Sequence, residues 1–264
     1  MSRPQPLPPD LIDPLARVAG RVRMLSTSPI WFEEVGSTSD VAVGLAERGA
    51  PEGTVVVANA QSAGRGRLGR SWASPPGAGL YLSAVLYPPR PDSLLTLATG
   101  VAVSGALVRA TGLATALKWP NDVFVGRRKL AGILAEAGTA ADGRSFVVLG
   151  IGINVLAAAY PPDVAARATS LETELGRAVD RGLVLAELIA AVDAACVRLR
   201  EGDAEGVLAE WRHLAAPLLG RPVEWNEGET HLSGIARDID AQGALLVDAG
   251  GVPRRVVGGE VRWL

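Results

Sequence analysis

The sequence predicts an α+β fold: a mixed, largely antiparallel sheet backed by helices, followed by a small β-barrel. Three observations lead there. Between Trp31 and Val155, strand-like apolar runs follow one another through short turns, with helices set among them rather than alternating one for one, so a doubly wound parallel sheet is disfavoured. Beyond Pro217 the chain changes texture, to short strands spaced by Gly, Asp and Asn turns, the pattern of a small barrel. The length of 264 residues accommodates a main domain and a small second one. The expected divisions are a flexible tail with a short helix over 1–28, a main domain over 29–216 and a barrel over 217–264.

The elements follow in order. The prolines of MSRPQPLPPD make residues 1–9 a solvated tail, with at most a short helix from Asp10 to Met24. Trp31 to Val35 reads as a strand, and Gly36-Ser37-Thr38-Ser39-Asp40 supplies cap-type residues before a helical run from Val41 to Arg48. Pro51-Glu52-Gly53 turns the chain into a buried strand from Thr54 to Ala60, and Leu80 to Tyr87 reads as another. Between them lies the connection from Gln61 to Gly79. Connections of that length are uncommon in compact domains, so this one is expected to be a functional lid or a disordered segment.

Pro88-Pro89-Arg90-Pro91 breaks the pattern, and Ser93 to Thr111 reads as an apolar helix buried on most faces. Leu117-Lys118-Trp119 is extended, because the residue before Pro120 is pushed out of helical space. Asp122 to Val125, a turn at Gly126-Arg127, and Lys129 to Ala137 form a strand pair, and Ala141-Asp142-Gly143 leads to a strand from Phe146 to Val155. Helices are expected at Leu183 to Arg200 and Glu205 to Leu214. The barrel strands are Arg221 to Val223, His231 to Ile235, Ala244 to Val247 and Arg254 to Val257.

Composition excludes several functions. A formal charge of -2 argues against a general nucleic-acid binder, so clustered arginines are a local feature. Cys196 stands alone in an alanine-rich helical stretch and reads as a buried, inert thiol; with only His213 and His231 beside it, a Cys/His zinc site is almost excluded. No run spans a bilayer, and the N-terminal prolines sit where a signal peptide needs an apolar core; a cytoplasmic protein is expected.

Four segments carry chemistry. Gly64-Arg65-Gly66-Arg67-Leu68-Gly69-Arg70-Ser71-Trp72 interleaves glycines, which let backbone N–H groups approach a ligand, with guanidinium forks that fit carboxylates and phosphates. In Lys118-Trp119-Pro120-Asn121-Asp122 the last two residues offer oxygens to a hard cation such as Mg²⁺ or to sugar hydroxyls. In Lys129-Leu130-Ala131-Gly132-Ile133-Leu134 a lysine opens a strand and Gly132 leaves room for a ligand. Gly150-Ile151-Gly152-Ile153-Asn154 places two glycines and an amide at a strand end. The P-loop, the dinucleotide-binding glycine turn and the nucleophile elbow are all missing from the sequence, which leaves cations and oriented dipoles to do the work.

Together these segments resemble biotin protein ligases, which carry GRGRxGRxW, KWPND, KLAGIL and G-[IVA]-G-[IL]-N in this order. The resemblance runs from about Glu34 to the C-terminus, where Gly234 to Arg237, Asp240 to Leu245 and Gly258-Gly259-Glu260 look like the family's C-terminal barrel. It implies a catalytic domain like that of class II aminoacyl-tRNA synthetases and an SH3-like barrel. It implies a two-step reaction: biotin and MgATP give biotinyl-5′-AMP and pyrophosphate, and a lysine of a biotin carboxyl carrier domain of an acyl-CoA or pyruvate carboxylase then attacks the adenylate. ATP, Mg²⁺ and biotin are the expected small molecules, with no tightly bound prosthetic group, and the expected assembly is a monomer or homodimer. Only about 28 residues precede Trp31, too few for the DNA-binding domain of some relatives, so the monofunctional class without operator binding is expected.

By the same resemblance, Ser37, Thr38, Ser39, Gln61, Gly64, Arg65, Gly66, Arg67, Lys129 and Gly132 are the expected biotin site. Arg67, Arg70, Trp72, Asn121, Lys129 and Asn154 are expected around ATP, with Trp72 stacked on adenine. Lys129, Arg67 and Asp122 are the catalytic set, Lys129 bridging carboxyl and phosphate oxygens and Asp122 near the acceptor lysine or the metal. Where the family often has Ser-Thr-Asn, this chain has Ser37-Thr38-Ser39, keeping an oxygen but losing an amide. Three competing functions remain: a lipoate or octanoate ligase, an RNA-binding module using the Arg-Gly loop, and a biotin sensor without turnover.

Overall fold

The computed structural model describes residues 3–88 and 93–264. Its main sheet has seven strands: β1 (Ile30–Val35), β2 (Val55–Gln61), β3 (Gly79–Leu86), β4 (Ala116–Lys118), β5 (Asp122–Val125), β6 (Arg128–Thr139) and β7 (Ser145–Asn154). They lie in the order β1-β2-β3-β7-β6-β5-β4, with β1 and β2 parallel and every other neighbouring pair antiparallel. The expected mixed sheet is therefore present. Its parallel pair exists because α2 (Thr38–Glu47) crosses over between β1 and β2.

One face of the sheet is covered by α3 (Leu95–Thr111) and α5 (Arg181–Arg200), with α6 (Ala204–Ala215) beside them. Leu82, Leu117, Ile133, Ile151 and Ile153 point into that layer and meet Val103, Leu107 and Leu188, all buried. Cys196 is buried on α5, as its surroundings predicted. The other face carries α2 at one end, over Phe32, Val56 and Val148, and is left open in the middle.

The short helix expected after the proline-rich start is present, and it is built into the body. In α1 (Pro9–Val18), Leu11, Leu15 and Val18 are buried on α5, and the backbone comes so close that a Cβ at Gly182 would lie 2.3 Å from the Asp10 carbonyl oxygen. The helix ends earlier than Met24, passing into a 3-10 turn at Ala19–Arg21. Beyond it, the buried Asp193 carboxylate accepts the backbone N–H groups of Arg23, Met24 and Leu25, at 2.9, 2.7 and 2.7 Å. Glu187 accepts from Arg21 (2.6 and 2.9 Å) and Arg109 (2.7 Å), and the Arg21 hydrogen bond foremost holds its carboxyl below the usual carboxylate range. Pro9 lies in the first turn of α1 and Pro14 inside it.

Most of Pro88-Pro89-Arg90-Pro91 lies outside the described residues. The stretch between β7 and α5 contains a further short helix, α4 (Leu171–Leu175), capped by Ser170. From Pro222 the chain forms a second sheet from β8 (Pro222–Glu227), β9 (Thr230–Ile239), β10 (Leu245–Ala249), β11 (Val252–Val256) and β12 (Val261–Trp263). All its pairings are antiparallel, in the order β11-β10-β9-β8-β12. Trp119 joins the two sheets, donating its buried Nε1–H to the Gly243 carbonyl at 2.8 Å.

Candidate active site

Strand register creates the site. Directly paired residues share a face, so the pairings Lys118–Asp122, Asp122–Gly132, Gly132–Gly152 and Gly152–Tyr81 define one row across five strands of the open face. The next row, two residues along, is Leu134, Gly150 and Ser83. Three glycines at the centre leave a trough in the sheet. Its ends are walled by Tyr81 and Ser83 on one side and by Asp122 and Lys118 on the other.

Lys129 belongs to this face only because of a bulge. Gly132 faces the trough, so in a regular strand Lys129, an odd number of residues away, would face the helices. The register shift between Val123 and Phe124 pairs Lys129 with Phe124, on the same side as Asp122. Lys129 Nζ then lies 2.6 Å from Asp122 Oδ1. Its backbone is held from outside, donating to the Arg167 carbonyl (2.8 Å) and accepting from Thr169 N–H (2.9 Å).

The arginine loop closes over the trough. It is an ordered hairpin-like excursion: Gln61 N–H donates to Ser74 O (3.0 Å), Trp72 N–H to Gly64 O (2.8 Å) and Gly66 N–H to Arg70 O (2.7 Å). Gly64 is required by the tight crossing, since a Cβ there would sit 2.4 Å from the Trp72 carbonyl oxygen. At the tip, Leu68 takes a left-handed conformation (φ 56°) and is exposed. Each arginine is tied to a different element. Arg65 pairs with Glu136 on β6 (2.7 Å) and Asp40 on α2 (2.8 Å); Arg67 donates to Asn121 Oδ1 (3.2 Å) and the Gly259 carbonyl (3.4 Å); Arg70 pairs with Glu260. Burial lowers the Arg67 pKa, and Asp122 partly offsets this.

Trp72 lies in the trough. A Cβ at Gly152 would be 2.7 Å from its Cε2 and Nε1, and one at Gly132 would be 3.0 Å from its Cζ3. Its Nε1–H is buried without an acceptor among the described residues, and Lys129 Nζ is 5.2 Å from the ring centroid. The indole offers one flat face and one free donor.

The inner end is polar. Ser37 caps α2 by accepting Ser39 N–H (3.3 Å), and Gln61 Oε1 accepts the Thr38 N–H (2.8 Å) and hydroxyl (3.1 Å). Ser83, wholly buried, shares hydrogen bonds with Thr38 Oγ1 (2.8 Å) and Ser39 Oγ (3.2 Å). Ser39 Oγ is 2.8 Å from where a Gly150 Cβ would stand, so the small serine and the glycine fit each other. Burial pushes the Tyr81 phenol up to about 12, which keeps it a hydrogen-bond donor.

These groups line a cleft of about 460 Å³, a volume that includes space open to solvent. Of the residues predicted from sequence it brings together Ser37, Thr38, Ser39, Gln61, Arg65, Gly66, Arg67, Trp72, Asn121, Lys129 and Gly132. Asp122 stands at its rim through Lys129. Three predicted residues lie off its lining: Gly64 serves the loop crossing, Arg70 turns outward to Glu260, and Asn154 donates its amide to the Thr169 carbonyl (2.9 Å). Sequence reasoning missed Tyr81, Ser83, Leu134 and the carboxylates that hold Arg65. Alternation along β3 and β6 carried the signal for the first three, once one residue of each strand was placed on the site.

A second cavity, a cleft of about 960 Å³ counting space open to solvent, lies between β6, the start of α3 and the C-terminal sheet. It shares Arg67, Ile133 and Leu134 with the first.

An adenylating ligase is the class that this fold and site define: a polar pocket for a neutral head group, leading to a cluster of cations. Comparisons with known proteins narrow it. Residues 31–154 match the biotin/lipoate A/B protein ligase family and residues 218–262 the biotin protein ligase C-terminal domain. The biotin--[acetyl-CoA-carboxylase] ligase of Mycobacterium tuberculosis is 38% identical over 237 residues, covering 86% of each chain. The bifunctional ligase/repressor BirA of Salmonella typhimurium is 36% identical over 212 residues, where the match spans 79% of this chain but 66% of the longer relative. Among solved structures, the biotin protein ligase of Aquifex aeolicus in complex with biotin and ATP superposes with a TM-score of 0.78 at 32% identity, covering 89% of this chain and 97% of that one. The chain belongs to the biotin protein ligase family.

Proposed function

We propose that this chain is an ATP-dependent biotin protein ligase, which makes biotinyl-5′-AMP and transfers biotin to a lysine of a biotin carboxyl carrier domain. The observation that carries this reading is that Arg67 and Lys129 line one cavity whose far end is the Ser37–Thr38–Gln61 hydroxyl and amide cluster. Biotin fits that polarity: its neutral ureido head takes the polar end, and its carboxylate reaches the cations. The relatives support it, since the Aquifex aeolicus protein was solved with biotin and ATP.

A carboxylate does not acylate an amine, because oxide is a very poor leaving group. Its oxygen must first be joined to phosphorus. In the proposed first step a carboxylate oxygen attacks the α-phosphorus of ATP and the bond to the β-bridging oxygen breaks, with pyrophosphate carrying away the electron pair. Both reactants are anions, so the barrier falls when fixed cations hold them in line. Arg67 and Lys129 have that role, and the ion pair with Asp122 aims Lys129. The free Nε1–H and open face of Trp72 suit an adenine ring. In the second step the carrier's amine attacks the carbonyl carbon and AMP leaves.

Among the described residues no group of three or more His, Cys, Asp or Glu could hold a metal by itself. Asp122, the carboxylate beside Lys129, is already paired with it. Mg²⁺ therefore fits as part of the substrate MgATP, carried on the phosphates, with Asp122 and Asn121 as the oxygen donors in reach. The second cavity, which opens on Arg67 from the side of the C-terminal sheet, is the proposed approach of the carrier lysine.

The test combines purified protein, labelled biotin, MgATP and a carrier fragment, read by streptavidin blot, with biotin-dependent exchange of labelled pyrophosphate into ATP. Labelled carrier and exchange with biotin but not lipoate are expected. Exchange supported by lipoate instead would replace the assignment with a lipoate ligase, and no exchange with either acid would remove it.

A further inference from the structure

Lys129 begins its strand with little support from the sheet around it. On the β7 side the ladder stops short of it, the last pairing joining Ala131 to Ile153. On the β5 side the bulge leaves Leu130 as an extra residue between the partners of Val123 and Phe124. Both main-chain groups of Lys129 turn instead to residues 167–169, which run parallel to it: its N–H donates to the Arg167 carbonyl (2.8 Å) and its carbonyl accepts the Thr169 N–H (2.9 Å). Where the Lys129 side chain enters the trough therefore depends on where that segment sits.

One carboxylate holds both parts. Glu174, on α4, is largely buried and lines neither of the two clefts. Its Oε1 accepts from Arg128 Nη2 (2.7 Å) and from the hydroxyl of Thr169. It thus ties the residue before Lys129 to the residue that holds the Lys129 carbonyl. Arg128 and Lys129 are neighbours in an extended strand, so their side chains leave on opposite faces, and Glu174 grips the strand by the one that stays out of the trough. The anchor is firm. Thr169 is wholly buried and its carbonyl accepts the Asn154 amide (2.9 Å), while α4 is seated by the wholly buried Leu171 and by the Glu172 N–H, which donates to the Val155 carbonyl (3.0 Å).

We propose that Glu174 is a positioning residue for adenylation: by joining Arg128 to Thr169 it fixes the strand start from which Lys129 reaches into the cleft. The inference rests on the adenylating reading above, in which Lys129 meets charge that develops in the transition state. Without the carboxylate, Arg128 and Thr169 lose their shared acceptor and the start of β6 can shift. A misplacement of about 1 Å at a reacting centre can cost roughly 100-fold in rate. The polar end of the trough, built from Ser37, Thr38 and Gln61, does not depend on this anchor, so biotin binding is spared.

The experiment is a double-mutant cycle. Glu174→Ala is made alone and together with Lys129→Ala, each variant first shown to melt as one cooperative unit. Should the alanine variant fail to fold, Glu174→Gln carries the same comparison, since it keeps an acceptor for Thr169 but no charge for Arg128. Single-turnover formation of biotinyl-5′-AMP and biotin affinity without ATP are measured. Glu174→Ala should slow adenylation by roughly 10- to 100-fold when Lys129 is present and by less than about twofold when it is absent. Biotin affinity should stay within about twofold in both backgrounds. An equal factor in both backgrounds would mean that Glu174 supports the fold without acting through Lys129 and would overturn the assignment, as would an unchanged rate with Lys129 present. Absence of biotin-dependent adenylation in the wild type would instead overturn the reading beneath it.

Discussion

Replacing Gly152 by alanine tests the glycine trough directly. The new methyl carbon would stand 2.7 Å from Cε2 and Nε1 of Trp72, where carbon contacts prefer about 3.5–4.0 Å. Strand β7 cannot yield, because Gly152 is paired on both sides, to Gly132 and Tyr81. The indole must therefore leave. An aromatic side chain buries about 150–250 Å², so returning roughly half of a Trp to water costs about 2.5 kcal/mol at ~25 cal/mol per Å². That corresponds to a rise of roughly 50- to 100-fold in the open population of the loop. Limited trypsin digestion reads it, since Arg65, Arg67 and Arg70 sit in the segment released: cleavage there should accelerate while the global melting temperature falls only modestly. Gly138→Ala is the control, because its Cβ would meet the Phe146 ring at 2.4 Å in the same sheet but away from the cavity. It should lower stability without exposing the loop. Identical loop cleavage in Gly152→Ala and wild type would refute the claim that the trough seats Trp72.

Other outcomes follow from the same geometry. Lys129→Ala should slow adenylate formation by about 10²- to 10³-fold, with a smaller loss of biotin affinity, because the charge it meets develops in the transition state; stopped-flow formation of the adenylate measures this. Biotin should protect the segment 61–79 from trypsin, as ligand contacts add to those that already order the loop. Glu187 has its folded pKa depressed by Arg21 and Arg109, so its stabilisation is full above its unfolded value and is lost as pH falls through the folded one. Glu187→Gln should flatten the acid side of a melting-temperature profile and cost about 1 kcal/mol at neutral pH, allowing for the solvent exposure of both arginines.

How far the sequence could be read depended on the range of the interactions. The strands Thr54 to Ala60, Leu80 to Tyr87 and Phe146 to Val155 were legible because each is a buried apolar run, and the observed β2, β3 and β7 lie within two residues of those limits. Helix starts were less so: α2 begins at Thr38, three residues before Val41, because Ser37, among the cap-type residues from Gly36 to Asp40, is its cap. The four chemical segments were visible as composition. What they do to one another was not, because it depends on register. The bulge opposite Phe124 aims Lys129, and cross-strand pairing brings Lys118 to Asp122. Arg70 meets a glutamate 190 positions away and the Asn154 amide donates to the Thr169 carbonyl, partners that no local pattern announces. The clamp on residues 21–25 was hidden for the same reason, since Glu187 and Asp193 are over 160 positions distant.

That clamp bears on how the protein can be handled at the bench. Cutting the chain at residue 29 to trim an apparent leader would strip the side chains of Leu11, Leu15 and Val18 from the flank of α5 and leave the Asp193 carboxylate facing bare apolar surface. Such a truncation invites clumping during expression. A purification handle is better joined ahead of Arg3 and Pro4, both exposed, so that this packing stays whole.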